Sequence, residues 1–474
     1  MSLQIVAGGS GAGKSTYIYS DVIEKSMKYP EKNYIVVVPE QYTMATQKKL
    51  VESHPRKGIL NIDVVSFGRL SYKVFEEIGG QNHPVLDDTG KNLIVRKVLG
   101  DNRDKLRYFG SNINKTGFVS ELKSVISEFL QYDIDVKRLG EIRERVEDSR
   151  QLSAKLDDIS VVYSAFKEYL ADNYITSEEI LSVLCSVIDR SENIKRSEII
   201  LDGFTGFTPI QYRLIELLLI YSGKVTVSVT ADSREKLNVN EGIQQLFFMS
   251  KEMVSKLYRI CDVIHVDVLN PIILDNEKNP RFVSDEIAFL EKNIFRNNNQ
   301  SYNKKCEDIK IITAQTPKEE LNYCISEILR LTRYEGYRYR DIAIVSADMA
   351  SYGILAGNIC RQNRIPCFVD NKKPVTDNPF VEYIRSALEI IEKSFTYDSM
   401  FRYLRSGMSG ISREDVDLLD NYCLAVGIRG SKQWHGTWVK KGRGRSAYPL
   451  DYLNELREKI MKPLEILEKA LKDK

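Results

Sequence analysis

The chain reads as α/β, with two parallel-sheet units that each carry a mainly helical inserted domain. Three observations predict this. Short, continuously apolar runs recur between helical stretches, beginning with residues 3–7 and 34–38, as strands buried on both faces do. The segment Gly8-Gly9-Ser10-Gly11-Ala12-Gly13-Lys14-Ser15 joins the first run to the first helix in the pattern G-x-x-x-x-G-K-[ST]. The alternation of strand, loop and helix then starts again after a polar stretch near residue 300.

The glycine-rich segment suits a phosphate group. Its glycines let backbone N–H groups turn inward, and the following helix adds the partial positive charge of its N-terminus. The ATP-binding residues expected from the pattern are Gly8, Gly9, Ser10, Gly11, Ala12, Gly13, Lys14, Ser15 and Thr16. Lys14 can reach the β- and γ-phosphates, and the Ser15 hydroxyl can hold Mg²⁺. The alternative is a glycine-rich turn that binds nothing.

Helical periodicity over residues 16–27 follows the loop. Residues 34–38 end at Pro39, which stops a strand. Residues 59–65 form the next expected strand and lead through Ser66 into a helix reaching Glu77. From residue 87 strand runs vanish, and apolar residues fall at helical spacing: Leu93, Val95, Leu99; Val119, Leu122, Ile126, Phe129, Leu130; Ile159, Val162, Phe166, Leu170. Thr176-Ser177-Glu178-Glu179 looks like a capped helix start. Strands resume at residues 198–202 and 224–229 around a helix at 211–221. The polar residues 275–305 read as a linker. Strands at 309–314, 341–345 and 367–369 alternate with helices at 318–334 and 352–362, and helices continue to the end. The expected divisions are 1–86 and 191–274 for the first sheet unit and 87–190 for its helical insertion. The linker covers 275–305, the second sheet unit 306–379, and a second helical insertion 380–474.

Composition narrows the class. The chain has 474 residues, 43% hydrophobic and 28% charged, enough for several cores. A net charge of +2 excludes a global basic field, so nucleic acid must be met by local patches. Seven cysteines without a C-x-x-C pair fit reduced thiols in the cytoplasm, and four scattered histidines argue against a zinc site. Lys14 interrupts the N-terminal apolar stretch, and no apolar run is long enough for a bilayer span.

A nucleotide triphosphatase also needs a strand-end carboxylate for Mg²⁺ and a group to orient water. Asp202 ends an apolar strand and answers the first need; its alternative is a simple turn-capping acid. Gly203 stands where a hydrolytic Glu would follow, and Phe204, Thr205, Gly206 and Phe207 offer no substitute. ATP binding is expected and fast hydrolysis is not.

Pro39-Glu40-Gln41-Tyr42-Thr43, Ser66-Phe67-Gly68-Arg69-Leu70, residues 201–211 (LDGFTGFTPIQ) and residues 338–345 (RYRDIAIV) follow the phosphate loop in that order. Together they resemble the AddB family, the second subunit of the bacterial AddAB helicase–nuclease. Its helicase portion is similar to the UvrD-like superfamily-one helicases. The resemblance covers essentially the whole chain. It implies two RecA-like P-loop domains and a degenerate motor, with Asp202 as the Mg²⁺ acid and Gly203 in place of the catalytic Glu. Gln211 matches a Gln of active relatives. Glu235 replaces a Gln that contacts the γ-phosphate, and Ala347 sits near a lost Arg.

The resemblance also implies a heterodimer with an AddA-like subunit, action on double-stranded DNA ends and single strands during double-strand break repair, and reading of the Chi sequence. The family's nuclease, with its carboxylate Mg²⁺ site and four-cysteine iron–sulfur cluster (4Fe-4S), belongs to a C-terminal domain with no counterpart here. The chain is therefore expected to match the N-terminal helicase-like part of a longer protein, or else a naturally short relative. Other readings remain open: an autonomous P-loop NTPase, or a DNA-binding scaffold without ATP turnover.

Candidate DNA contacts come from position and composition. The resemblance implies that Tyr42, Phe67 and Arg69 lie in loops equivalent to those lining the strand path of superfamily-one helicases. Trp434, Lys440, Lys441 and Arg443 lie in a stretch that mixes cations with aromatic rings. The plainer alternatives are a core aromatic at Phe67 and a lysine-rich loop packed by its tryptophans.

Overall fold

The computed structural model describes residues 1–79, 84–113, 115–132, 134–146, 149–171, 174–239, 242–274, 281–296, 300–370, 375–440 and 449–472. They divide into two compact units, 1–310 and 311–474.

In the first unit β1 (Ser2–Gly8), α1 (Lys14–Lys28), β2 (Asn33–Val37), α2 (Thr43–Ser53), β3 (Ile62–Val65) and α3 (Phe67–Ile78) alternate. The helical insertion follows between two short strands, β4 (Val85–Leu86) and β5 (Ile175–Thr176), which pair in parallel. It contains α4 (Asp88–Asp101), α5 (Thr116–Gln131), α6 (Val136–Glu144) and α7 (Arg150–Ala171). The chain returns through α8 (Ile180–Val187) and α9 (Glu192–Lys195) to β6 (Ser197–Leu201), α10 (Pro209–Tyr221), β7 (Lys224–Thr230) and α11 (Phe248–Ile264). Two short strands, β8 (Asp267–Val268) and β9 (Ile272–Ile273), and α12 (Asp285–Asn293) close it. Residues 285–293 are therefore helical, where the sequence reads as linker. The buried Glu286 side chain anchors this helix by accepting N–H bonds from Glu307, Asp308 and Ile309.

The strands form a seven-stranded sheet among the described residues, in the order β3-β2-β6-β7-β1-β8 with β9 also on β1. Every pairing in it is parallel. Its strands are apolar at consecutive positions because helices cover both faces. Leu3, Ile5, Ile35, Val37, Ile199, Leu201, Val225 and Val227 pack on one side. Val6, Tyr34, Val36 and Ile200 pack on the other with Ile18, Tyr19 and Val22 of α1. Parallel pairing also brings the ends of β1, β2, β3, β6 and β7 to one edge. Val37 is in register with Leu201, and Gly8 with Thr230.

The insertion has its own core, including Val95, Leu99, Leu122, Ile126, Val162 and Phe166. Leu93 is not part of it: this side chain is exposed, and Ile94 and Val98 complete the buried stripe of α4. Thr176 and Glu179 bond reciprocally just before α8, as the capping pattern predicts.

The second unit carries α13 (Pro317–Tyr334), α14 (Met349–Gln362), α15 (Pro379–Glu392), α16 (Tyr397–Arg405), α17 (Arg413–Val426), α18 (Ser431–His435) and α19 (Leu450–Lys472). The expected strands at 309–314, 341–345 and 367–369 do not form ladders among the described residues. Ile311, Val345 and Phe368 are 93%, 92% and 89% exposed. A strand has no hydrogen-bond partner within its own segment, so an apolar run without neighbours in register stays single. Among the described residues, no helix is long and apolar enough to cross a membrane.

Candidate nucleotide-binding site

The loop after β1 is shaped by its own sequence. Gly11 and Gly13 have φ of 82° and 92°, a region that side chains rarely adopt. Ala12 N–H closes a turn onto the Gly9 carbonyl, and the Gly13 carbonyl accepts Tyr17 N–H to start α1. Lys14 folds back over the loop, and its Nζ donates to the Gly8 and Gly9 carbonyls at 2.9 Å each. Burial lowers the Lys14 pKa; the Asp202 charge opposes this and the Arg281 charge adds to it. An anion placed here would favour the charged amine, which is what a phosphate does.

Arg281 was not singled out from the sequence. A Cβ built on Gly11 would lie 2.7 Å from Arg281 Cδ and 2.9 Å from its Cβ, so the arginine stem lies directly against the loop. Two cationic side chains, Lys14 and Arg281, thus lie against one loop. Arg281 lies 270 positions from Gly11 in the sequence, and no local pattern marks it.

Asp202 stands one residue beyond β6. Its N–H donates to the Val37 carbonyl at 3.0 Å, and its side chain is buried. Its Oδ2 accepts the Tyr19 hydroxyl at 2.7 Å. The Ser15 side chain interacts with the same phenolic oxygen. Ser15 and Asp202 are therefore brought together, but around a phenol. As arranged, they do not fit a Mg²⁺ ion. Thr16 is exposed, with its Oγ1 3.5 Å from Lys49 Nζ.

The wall beyond β7 is tied up in ion pairs. Asp232, 3% exposed, takes Arg234 in a two-pronged bond of 2.7 and 2.8 Å and Arg296 at 2.7 Å. Burial opposes its ionisation, but hydrogen bonds from Arg234 and the charge of Arg296 hold its carboxyl below the usual range. Glu235 pairs with the buried Lys251 at 2.6 Å. Gln211 caps α10, accepting from Thr208 N–H at 2.9 Å. Gly203 N–H donates to the Ser228 hydroxyl at 3.2 Å.

The candidate DNA contacts separate by exposure. Tyr42 is 51% exposed beyond β2, and Arg69 is exposed with Nε 3.2 Å from Glu40 Oε1. Phe67 is buried, its ring centroid 5.2 Å from Phe204 and 6.3 Å from Phe207, so its ring belongs to the core. In the second unit Trp434 is fully buried and packs edge-on to Trp438, with centroids 5.3 Å apart. This corrects the expectation of a stacking surface there: the apolar area of Trp434 is used to fill the core that Tyr422 and Leu453 share. Lys440 is exposed, and its backbone carbonyl accepts the Tyr422 hydroxyl. Lys441 and Arg443 lie outside the described residues.

Residues 5–291 match the family model described as "ADDB, N-terminal". The chain belongs to the AddB family. Relatives named as the B subunit of an ATP-dependent helicase/deoxyribonuclease align along it. The protein from Lachnoclostridium phytofermentans is 44% identical over 478 residues, covering 100% of this chain and 42% of the relative. That from Clostridium novyi is 35% identical, covering 100% and 41%. That from Caldanaerobacter subterraneus subsp. tengcongensis is 34% identical, covering 98% and 41%. This AddB-family chain thus spans less than half the length of these relatives.

Proposed function

We propose that this chain is the ATP-holding, helicase-like part of the B subunit of an AddAB-type helicase/exonuclease. It would act in the cytoplasm on double-strand DNA breaks bound for homologous recombination. An AddA-like partner would supply the turnover that drives translocation. The supporting observation is the contrast between an intact phosphate loop, with Lys14 and Arg281 over it, and a strand end where Gly203 follows Asp202. A phosphate chain has its cradle and two cations; residues 203–207 after Asp202 offer a water molecule no base to orient it.

Single strands would meet the exposed Tyr42 and Arg69 on the first unit and Lys440 on the second. The expected strands at 309–314, 341–345 and 367–369 would belong to a second RecA-like domain, formed when neighbouring strands are present. By the family resemblance, the nuclease and its iron–sulfur cluster would be carried by another part of the protein.

Filter binding of labelled ATP to the wild type and to Lys14→Ala tests the nucleotide reading. Specific binding that Lys14→Ala weakens by about a hundredfold is expected. Equal affinity for both chains would remove it.

A further inference from the structure

We propose that the phenol of Tyr19 takes the place of the magnesium ion beside the phosphate loop, so that this chain holds its nucleotide without a divalent cation. The inference rests on the nucleotide reading above and adds the form of the ligand: a metal-free di- or triphosphate neutralised by side chains.

A Mg²⁺ ion in a phosphate loop draws on the loop hydroxyl and the strand-end acid together, within an octahedral shell of oxygens at about 2.1 Å. Here both groups face one phenolic oxygen. Tyr19 lies four residues beyond Ser15, one turn along the same face of α1. Its O–H donates to Asp202 Oδ2 at 2.7 Å, and its oxygen is 3.5 Å from Thr46 Oγ1. The Ser15 side chain interacts with that oxygen as well.

The ring is fixed in place. Tyr19 is 5% exposed, packs with Ile18, Val22 and Val36, and has the Lys49 ammonium 5.4 Å from its centroid. Swinging it aside would uncover apolar surface and leave the buried Asp202 carboxylate without its donor, both unfavourable. Burial and the Asp202 charge also raise the pKa of the phenol, so it stays a neutral donor at physiological pH. A neutral donor satisfies the acid but supplies no positive charge to a phosphate. Lys14 and Arg281 supply that charge. The arrangement favours retention over transfer, since phosphoryl transfer relies on the metal to stabilise charge as it develops.

Calorimetric titration of the 474-residue chain with ADP, in MgCl₂ and in EDTA, tests the proposal. Wild-type affinity is expected to differ by less than about threefold between the buffers, while Tyr19→Phe, which keeps the ring and releases Asp202, gains a dependence of about tenfold or more. A larger loss in EDTA for the wild type would overturn it, as would a folded Tyr19→Phe chain that gains no dependence. Should that variant fail to fold by thermal melting, the paramagnetic resonance of Mn²⁺ mixed with wild type and ADP decides instead. A spectrum of free Mn²⁺ supports the proposal, and an immobilised ion on the protein–ADP complex overturns it. Failure of the wild type to bind ADP in either buffer overturns the nucleotide reading itself, a result distinct from metal dependence.

Discussion

The two walls of the candidate nucleotide site differ in what they leave available. On the β1 side, the loop from Gly8 to Ser15 keeps its left-handed glycines, its lysine and the N-terminus of a fifteen-residue helix. On the β6 and β7 side, the polar groups are already committed to the protein. Asp202 holds Tyr19, Asp232 holds two arginines, Glu235 holds Lys251, and Gln211 caps α10. Binding a phosphate requires only the first wall. Accelerating its transfer requires both, with groups free to follow charge as it moves. The difference teaches that a phosphate-loop pattern is evidence of binding, and that catalysis has to be read from the facing strands.

Changes on the loop wall should have the largest effects. Lys14→Ala removes the amine that spans the loop and should weaken ATP by about a hundredfold in calorimetry, the scale of a charge-assisted phosphate contact. Arg281→Ala removes the second cation and should cost about tenfold, with the melting temperature little changed since the side chain is exposed. Near-wild-type affinity in Arg281→Ala would show that the arginine only rests on the loop.

The pH profile sharpens the same wall. Burial lowers the Lys14 pKa in the unliganded chain, and a bound phosphate would raise it. ATP affinity should therefore be full where Lys14 is protonated without ligand and fall as pH rises through its lowered pKa. The fall should begin at a lower pH than for an ordinary exposed lysine, and Lys14→Ala should flatten it. The smallest effect is expected on the facing wall. Glu235→Gln should change ATP affinity by less than about threefold. It should cost about 1 kcal/mol of stability by loosening the half-exposed partner of Lys251, measured by urea unfolding.

Much of the first unit was legible in the sequence because its signals are local and dense. Residues 3–7, 34–38 and 225–229 are largely apolar, and the structure packs them into one parallel sheet. The insertion was legible from helical spacing, apart from Leu93, where one residue of phase decides between core and solvent. The runs around Ile311, Val345 and Phe368 carry the same strand signal as β2 yet join no ladder among the described residues. A run of apolar residues states what a segment can pair as; the neighbours decide whether it does. Within the site, the loop was legible and its surroundings were not. Tyr19 meets Asp202 across 183 residues, and Arg281 meets Gly11 from a position likewise remote in the sequence. Trp434 shows a related limit, since a ring beside lysines in sequence can lie in the core while the lysines reach solvent.

That this site holds ATP without turning it over is tested most directly by steady-state ATP hydrolysis. The isolated chain would be assayed at saturating ATP, with Mg²⁺ and an excess of single-stranded DNA. Turnover far below the usual enzyme range of about 1–10³ s⁻¹, with no stimulation by DNA, is the predicted result. Turnover on the order of 10 s⁻¹ that depends on DNA and disappears in Lys14→Ala would contradict it.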